Sequence, residues 1–190
     1  MLSGRRLDLI DPSPLDIEID DIAHGLARVP RWNGQTTGPH VFSVAQHTLI
    51  VDRIFADRQG EFGATWRLAV LLHDAPEYVI GDLISPFKAL LGGKYVAVEQ
   101  RLLAAIHRRF GVPYPLPENI AAAIKAADRI SAYYEAVALA GFTKKEAVQV
   151  FGKPPAAKKP IDLEPWDATL AQQRYLERFA ATFELAEKVT

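Results

Sequence analysis

The stretch ATWRLAVLLHDAP at residues 64–76 combines the period of an α-helix with ionisable side chains where apolar ones are expected. Its apolar side chains recur at the spacing of one helical face, and His73 falls on that face with Asp74 beside it. Pro76 has no N–H to donate, so we expect the helix to end near Ala75. Burying an imidazole and a carboxylate without partners costs several kcal/mol. The stretch therefore predicts a helix that ends at a polar site inside the protein.

Two more helices show the same feature. A helix is expected from about Ser43, its N-cap, to Arg58, and His47 falls on its apolar face. A longer helix is expected over residues 118–140, with Asp128 one turn after the apolar Ile124. Three helices thus point ionisable groups towards the interior, so these groups need one another or a shared partner.

Helical periodicity recurs along the chain and alternating runs are nearly absent, so we predict an all-α protein with one helical bundle domain. Further helices are expected over residues 17–29, 94–110, 143–151 and 166–188. Residues 1–15, 30–39, 81–87 and 113–117 are expected to be irregular, and the proline-rich residues 153–165 to form a tether. We therefore expect a domain of residues 1–152, followed by residues 153–190 as a tether and an amphipathic helix. That helix is expected to pack on the same domain or on the partner of a homodimer.

Composition excludes several classes of protein. A chain of 190 residues and 21.0 kDa suits one compact domain. Its 22 Lys and Arg against 23 Asp and Glu leave no basic excess for a nucleic-acid polymer. The absence of cysteine excludes disulfides and thiolate metal sites. No apolar run is long enough to span a membrane, and Asp8 and Asp11 stand where a signal peptide would be apolar, so we expect a cytoplasmic protein.

The interior ionisable groups suit a metal ion better than four separate structural roles. Taken singly, each histidine could be a hydrogen-bonded core residue, and Asp128 could pair with a basic neighbour on its own helix. Together, His47, His73, Asp74 and Asp128 offer two imidazoles and two carboxylates. This donor set is typical of Co²⁺, Mn²⁺, Fe²⁺, Zn²⁺ or Mg²⁺, and it leaves about two octahedral positions for water and substrate.

The order of these residues resembles the metal-binding signature of the HD-domain phosphohydrolases. The pair His73-Asp74 begins 26 residues after His47, and Asp128 follows after a further 54. The blocks HDAPEYVIGDLISPFK at 73–88 and KAADRISAYYEA at 125–136, with Arg31-Trp32 ahead of His47, are similar to the bacterial 5′-deoxynucleotidase (YfbR-like) branch. The resemblance covers roughly residues 20–140.

The resemblance implies one divalent ion held by His47, His73, Asp74 and Asp128. It also implies that Glu77 orients or deprotonates the attacking water and that Asp82 lies near the sugar and the leaving group. From the residues alone, Glu77 could instead be an exposed acid at a helix end, and Asp82 could equally form a turn.

Three further residues match substrate-binding positions of the family. Arg31 matches an arginine that grips phosphate, for which a guanidinium fork is well suited. Trp32 matches an aromatic residue that packs on the nucleoside, although it could simply anchor the loop 30–39. Lys88 could be a second phosphate contact or a solvated lysine. His107, among the arginines at 101, 108 and 109, is expected on a solvated face, so we predict a mononuclear centre.

The resemblance implies a metal-dependent hydrolase of nucleotide phosphate esters, with 5′-deoxyribonucleoside monophosphates as the first candidates. A longer N-terminal segment than that of the compact deoxynucleotidases keeps a deoxynucleoside triphosphate triphosphohydrolase open. Guanosine tetraphosphate hydrolysis is disfavoured because Tyr78 follows Glu77, where that branch carries Asp. Cyclic-dinucleotide hydrolysis is disfavoured because its extended motif is missing. An alternative of another class is a non-catalytic, nucleotide-sensing domain.

Overall fold

The structure is a computed structural model that describes residues 1–59, 62–156 and 160–188, apart from the side chains of residues 59 and 85. Within these ranges the regular elements are helices. The described residues form no strand, and Pro30 and Ser43 form an isolated β-bridge. The all-α prediction is confirmed, and the C-terminal helix is present. The helices are α1 Ile19–Leu26, α2 Val44–Gln59, α3 Ala64–Leu71, α4 Glu77–Ile80, α5 Ser85–Leu91, α6 Gly93–Arg109, α7 Glu118–Ala138, α8 Lys144–Phe151 and α9 Ala168–Glu187.

Local side-chain caps explain several helix starts. Ser43 Oγ accepts a hydrogen bond from the backbone of Gln46 at 3.2 Å, as predicted for the N-cap of α2. Thr143 and Glu146 form a reciprocal capping box at the start of α8. Asp167 accepts hydrogen bonds from two backbone N–H groups at the start of α9.

The structure corrects the predicted elements around the HD pair. Helix α3 ends at Leu71 instead of Ala75, because residues 72–76 form turns before the short helix α4. The predicted loop 81–87 contains the start of α5, where Pro86 lies in the first turn and its missing N–H costs nothing. The predicted loop 30–39 contains the 3₁₀ turn Arg31–Gly34. The irregular N-terminal segment likewise contains the 3₁₀ turn Pro14–Asp16.

Helix α9 packs on α1, α2 and α3 of its own chain. Tyr175 is fully buried and donates its hydroxyl to the carbonyl of Leu71 at 2.7 Å, two residues before His73. The segment ahead of α9 is also fixed: the Gln46 side-chain amide donates to Glu164 O at 2.7 Å and accepts from Trp166 N at 3.0 Å. The end of the predicted tether therefore binds α2 next to His47, whereas residues 157–159 lie outside the described residues.

An ion-pair cluster joins α2, α3 and α9. The buried carboxylate of Asp52 accepts two hydrogen bonds from Arg67, at 2.5 and 2.6 Å, and one from Arg178 at 2.7 Å. Within the described residues, no helix combines the length and the apolar character needed to cross a membrane.

Candidate metal centre

The four predicted ligands lie together where α2, α7 and the turn after α3 meet. Ligand atoms of His47, His73 and Asp128 lie within 4.8 Å of one another. Asp74 Oδ2 is 3.1 Å from Nε2 of His73 and 3.5 Å from Nε2 of His47. Asp128 Oδ1 is 3.3 Å from the same His47 atom. Polar residues from α2, α7 and the turns after α3 thus face one common point.

The hydrogen bonds of the two histidines leave their inner nitrogens available to a cation. His73 Nδ1 lies 2.8 Å from the carbonyl of Val70, an acceptor, so Nδ1 carries the proton. His47 Nδ1 lies 2.5 Å from Glu135 Oε1. Both Nε2 atoms are buried without a hydrogen-bond partner among the described residues. Two lone pairs and two carboxylates therefore converge, and this arrangement fits a divalent cation.

The charges of the cluster support the same conclusion. Burial disfavours protonation of His73, but the charge of Asp74 outweighs this effect and raises the pKa of the imidazole. Burial alone would raise the pKa of Asp74, but the charges of the neighbouring imidazoles, that of His73 above all, hold it well below its usual value. Both carboxylates stay ionised at neutral pH, since the pKa of Asp128 is lowered as well. A buried pair of anions is stabilised by a nearby cation.

Glu77 is buried in the first turn of α4, with 3% of its surface exposed, so the alternative of an exposed helix-end acid is wrong. Burial raises its pKa to about 9, and the charges of Asp74 and Asp82 add to the effect. Its Oε2 atom has no hydrogen-bond partner in the described part of the chain. Lys88 Nζ lies 3.6 Å from the other carboxylate oxygen, Oε1.

Lys88 is partly buried and ion-paired instead of being freely solvated. Besides the contact with Glu77, its ammonium donates a hydrogen bond to Glu99 Oε1 at 3.0 Å. The structure therefore places Lys88 beside Glu77, the candidate base, and pairs its ammonium with the carboxyl groups of Glu77 and Glu99.

A fully buried carboxylate that the sequence reasoning missed joins the candidate metal ligands to Arg31 and Trp32, the candidate substrate-binding pair. Glu135 Oε1 accepts from Ser131 Oγ at 2.6 Å as well as contacting His47. Its Oε2 atom accepts from Trp32 Nε1 at 3.0 Å and from Arg31 Nε at 3.4 Å. The available signal was spacing, because seven residues separate it from Asp128, which places both on one side of α7.

Arg31 and Trp32 are held in fixed positions near this carboxylate. The other end of the Arg31 guanidinium donates to Asp82 Oδ2 at 3.2 Å, so Arg31 bridges Asp82 and Glu135. Trp32 has a left-handed backbone with φ 56°, which costs an ordinary residue about 1–3 kcal/mol. Ring contacts with Phe142 and Phe151 and the hydrogen bond to Glu135 hold it there. Such local strain is common at binding sites.

The prediction that His107 lies on a solvated face is wrong. Its side chain is fully buried, because Arg108 and Arg109 take the outer positions while His107 turns inward with Ile106. It lines a cavity of about 210 Å³ together with two of the candidate ligands, His73 and Asp128.

The chain is 61% identical over 154 residues to the uncharacterized protein RCAP_rcc00048 of Rhodobacter capsulatus, a match that covers 81% of this chain and 79% of that protein. The chain belongs to the family of this Rhodobacter protein. A more distant match is the uncharacterized protein YfdR of Escherichia coli, 34% identical over 98 residues, or 52% of this chain and 49% of YfdR. No protein-family model matches the chain.

Proposed function

We propose that the protein is a metal-dependent phosphohydrolase of the HD-domain class that cleaves the phosphate ester of nucleotides, with 5′-deoxyribonucleoside monophosphates as its first substrates. The observation that carries the proposal is the convergence of the buried Nε2 atoms of His47 and His73 with the carboxylates of Asp74 and Asp128. A divalent ion bound there would neutralise charge on a phosphate oxygen and make a bound water more acidic.

Arg31 is the group that would bind the remaining phosphate oxygens. Its guanidinium offers planar, paired donors that match two oxygens of a phosphate. Asp82 and Glu135 hold it from two directions, so it does not need to be ordered when substrate arrives. Asp82 would exchange a proton with the leaving oxygen, as the family resemblance implies.

Glu77 would orient the attacking water and accept its proton. The negative charge of Asp74 contributes to the high pKa of Glu77. A cation bound to Asp74 would offset that charge and so lower the pKa of Glu77. Lys88, 3.6 Å away, lowers the pKa of Glu77 and so favours the carboxylate form that a base requires. Burial keeps this carboxylate away from competing solvent.

A product-resolved assay tests the proposal directly. Matched deoxy- and ribonucleoside mono- and triphosphates are incubated with Co²⁺, Mn²⁺, Mg²⁺ or a chelator. Inorganic phosphate that forms from deoxynucleoside monophosphates only when metal is present is the expected result. Release of tripolyphosphate from triphosphates would favour the triphosphohydrolase alternative over the monophosphate reaction. Absence of product with every metal would favour a nucleotide-sensing domain.

Variants separate the roles of base and ligand. We expect Glu77→Ala to keep the metal and lose turnover, and Asp74→Ala to lose both. Full turnover in Glu77→Ala would contradict the role of Glu77, and undiminished metal binding in Asp74→Ala would contradict the ligand set.

A further inference from the structure

The cavity beside the metal cluster has the features of a binding subsite. It lies between α6, α7 and the segment before α7, and its volume of about 210 Å³ is below the roughly 300–1,000 Å³ of sites that enclose a drug-sized ligand. It therefore suits a single planar group better than a whole nucleotide. Its apolar walls are Leu103, Leu116, Ala121 and Ile124.

His107 supplies a buried polar atom that lacks a partner. Its Nδ1 lies 3.3 Å from the carbonyl of Pro113, so Nδ1 carries the proton and Nε2 is a bare acceptor. The Tyr114 ring packs edge-on at 5.7 Å and fixes the plane of the imidazole. Nε2 is buried without a hydrogen-bond partner in residues 1–59, 62–156 and 160–188. Because an unsatisfied buried acceptor is costly, it calls for a donor from a bound molecule.

The cavity is continuous with the candidate catalytic centre. His73 and Asp128 line it and also belong to the metal cluster. Among its lining residues from the described chain, the one carboxylate is Asp128 and the one ammonium is Lys125, so a second cation site is not indicated. Apolar walls with a few placed polar groups, among them the neutral acceptor of His107, are typical of a site for a flat, mainly apolar ring that carries an N–H group.

We propose that this cavity binds the nucleobase of the nucleotide substrate, with His107 Nε2 accepting a hydrogen bond from a ring or exocyclic N–H of the base. The inference rests on the proposed function, since the phosphate of the same molecule lies at the metal cluster. Leu103 and Leu116 pack on the faces of the base. His107 is then a specificity residue that does not take part in the chemistry.

Two neighbouring alanines of α7 provide a matched test. Ala121 lines the cavity and Ala122 lines a different groove next to Phe151, and both are exposed. Ala121→Phe should therefore fill the cavity without disturbing the core, and Ala122→Phe is its control. His107→Phe removes the acceptor, whereas His107→Gln restores one. Thermal melting establishes that each variant is folded.

The first measurement is the Michaelis constant of the metal-loaded protein for the four deoxynucleoside monophosphates and for 2-deoxyribose 5-phosphate, which lacks a base. We expect Ala121→Phe to raise KM for nucleotides about tenfold, a loss of one modest set of contacts, with KM for the base-free phosphate unchanged. His107→Phe should raise KM in the same selective way, and His107→Gln should recover part of the loss. If the ratio of KM for nucleotides to KM for 2-deoxyribose 5-phosphate is the same in Ala121→Phe as in the wild type, the proposal is overturned.

The second measurement does not depend on turnover. The imidazole nitrogen signals of His107 are followed by NMR while the metal-loaded protein is titrated with deoxynucleosides or with 2-deoxyribose. A response to deoxynucleosides alone, lost in Ala121→Phe and kept in Ala122→Phe, supports the base subsite even if no nucleotide is hydrolysed. Hydrolysis without any His107 response would leave the proposed function standing and overturn the subsite.

Discussion

Oε1 of Glu135 lies 2.5 Å from Nδ1 of His47, so a carboxylate buried in α7 orients a metal-ligand candidate on α2. The same side chain receives hydrogen bonds from Ser131, Trp32 and Arg31. With Nδ1 engaged in this way, Nε2 of His47 presents its lone pair to the cluster. Glu135 therefore links the candidate metal centre, through His47, to Arg31, the candidate phosphate-binding arginine.

Replacing Glu135 by Gln should weaken divalent-metal binding about 10–100-fold, the usual effect of removing a carboxylate partner from a ligand histidine. The shape of the side chain is kept, but the amide cannot accept from all four donors. Calorimetric titration or competition with a chelator measures the affinity. Glu118→Gln, on the exposed first turn of the same helix, is the control and should bind metal like the wild type. Equal affinity in both variants would show that Glu135 has a purely structural role.

Sequence reasoning found the candidate ligands because polar residues interrupt apolar helical patterns, although His73 and Asp74 themselves lie in the turns after α3. His47 and Asp128 stand out in that way without knowledge of the fold. Glu135 could not be found by the same means, because its partner His47 is 88 residues away and the pairing depends on how α2 and α7 pack. Periodicity describes one helix at a time, and contacts between helices require the tertiary arrangement.

The misplaced boundaries have a similar origin. Proline marks where a helix ladder is interrupted, but the turns of residues 72–76 follow from the packing of the HD pair, which no local pattern encodes. His107 was misjudged because the charged neighbours Arg108 and Arg109 dominate its sequence context. Its own helix places it inward beside Ile106, since successive residues of an α-helix point about 100° apart and need not share the exposure of the residues that follow them.

Gly25 should be essential for the position of the helix that carries Glu77. A Cβ on Gly25 would lie 2.7 Å from Cβ and 2.9 Å from the carbonyl oxygen of Tyr78, too close unless α1 and α4 separate. We expect Gly25→Ala to lower the free energy of unfolding by about 1–3 kcal/mol and to reduce turnover. Chemical denaturation and the product-resolved assay measure the two effects.

Gly93→Ala is the matched control for Gly25→Ala. Gly93 also lies in a helix, but an added Cβ there meets nothing within 4 Å. The substitution should leave stability unchanged or raise it by up to about 1 kcal/mol. Equal destabilisation by the two substitutions would mean that general helix effects, and not the contact with Tyr78, decide the result.

The Asp52 cluster should stabilise the fold without affecting the metal centre. Asp52 is 4% exposed, whereas Arg67 and Arg178 are 22% and 36% exposed, so solvent screens part of the attraction. Asp52→Asn should cost about 2 kcal/mol of unfolding free energy, because two arginines lose their anionic partner. A double-mutant cycle with Arg67→Gln isolates the pair. Additive effects in that cycle would show that the pair contributes no coupling energy.

Divalent metal should stabilise the folded chain measurably. At a metal concentration about 100 times Kd, linkage adds roughly 2.7 kcal/mol, or a rise of about 5–10 °C in Tm for a chain of this size. Asp74→Asn should abolish the rise. Asp82→Asn should keep it, since Asp82 pairs with Arg31 and is not a candidate ligand. A rise that persists in Asp74→Asn would place the ion elsewhere.

The buried His107 should make stability fall with acidification. Burial lowers its pKa from the ordinary value of 6.5, only partly opposed by the hydrogen bond to Pro113, so the unfolded chain takes up this proton first. Stability from this group is therefore complete above about pH 7 and is lost as pH falls below 6.5, with a slope of up to about 1.4 kcal/mol per pH unit. His73 and Asp128, which line the same cavity, also affect the absolute profile.

Comparison with His107→Gln separates the contribution of His107 from these neighbours. Denaturation is measured from pH 5 to pH 8, with chelator present so that metal linkage does not enter. The unfolding free energy of the wild type minus that of the variant should be constant above neutrality and decrease towards acid, because the variant lacks the titrating ring. A difference that stays constant, or that grows as pH falls, would mean that His107 is not held as the neutral acceptor on which the base subsite depends.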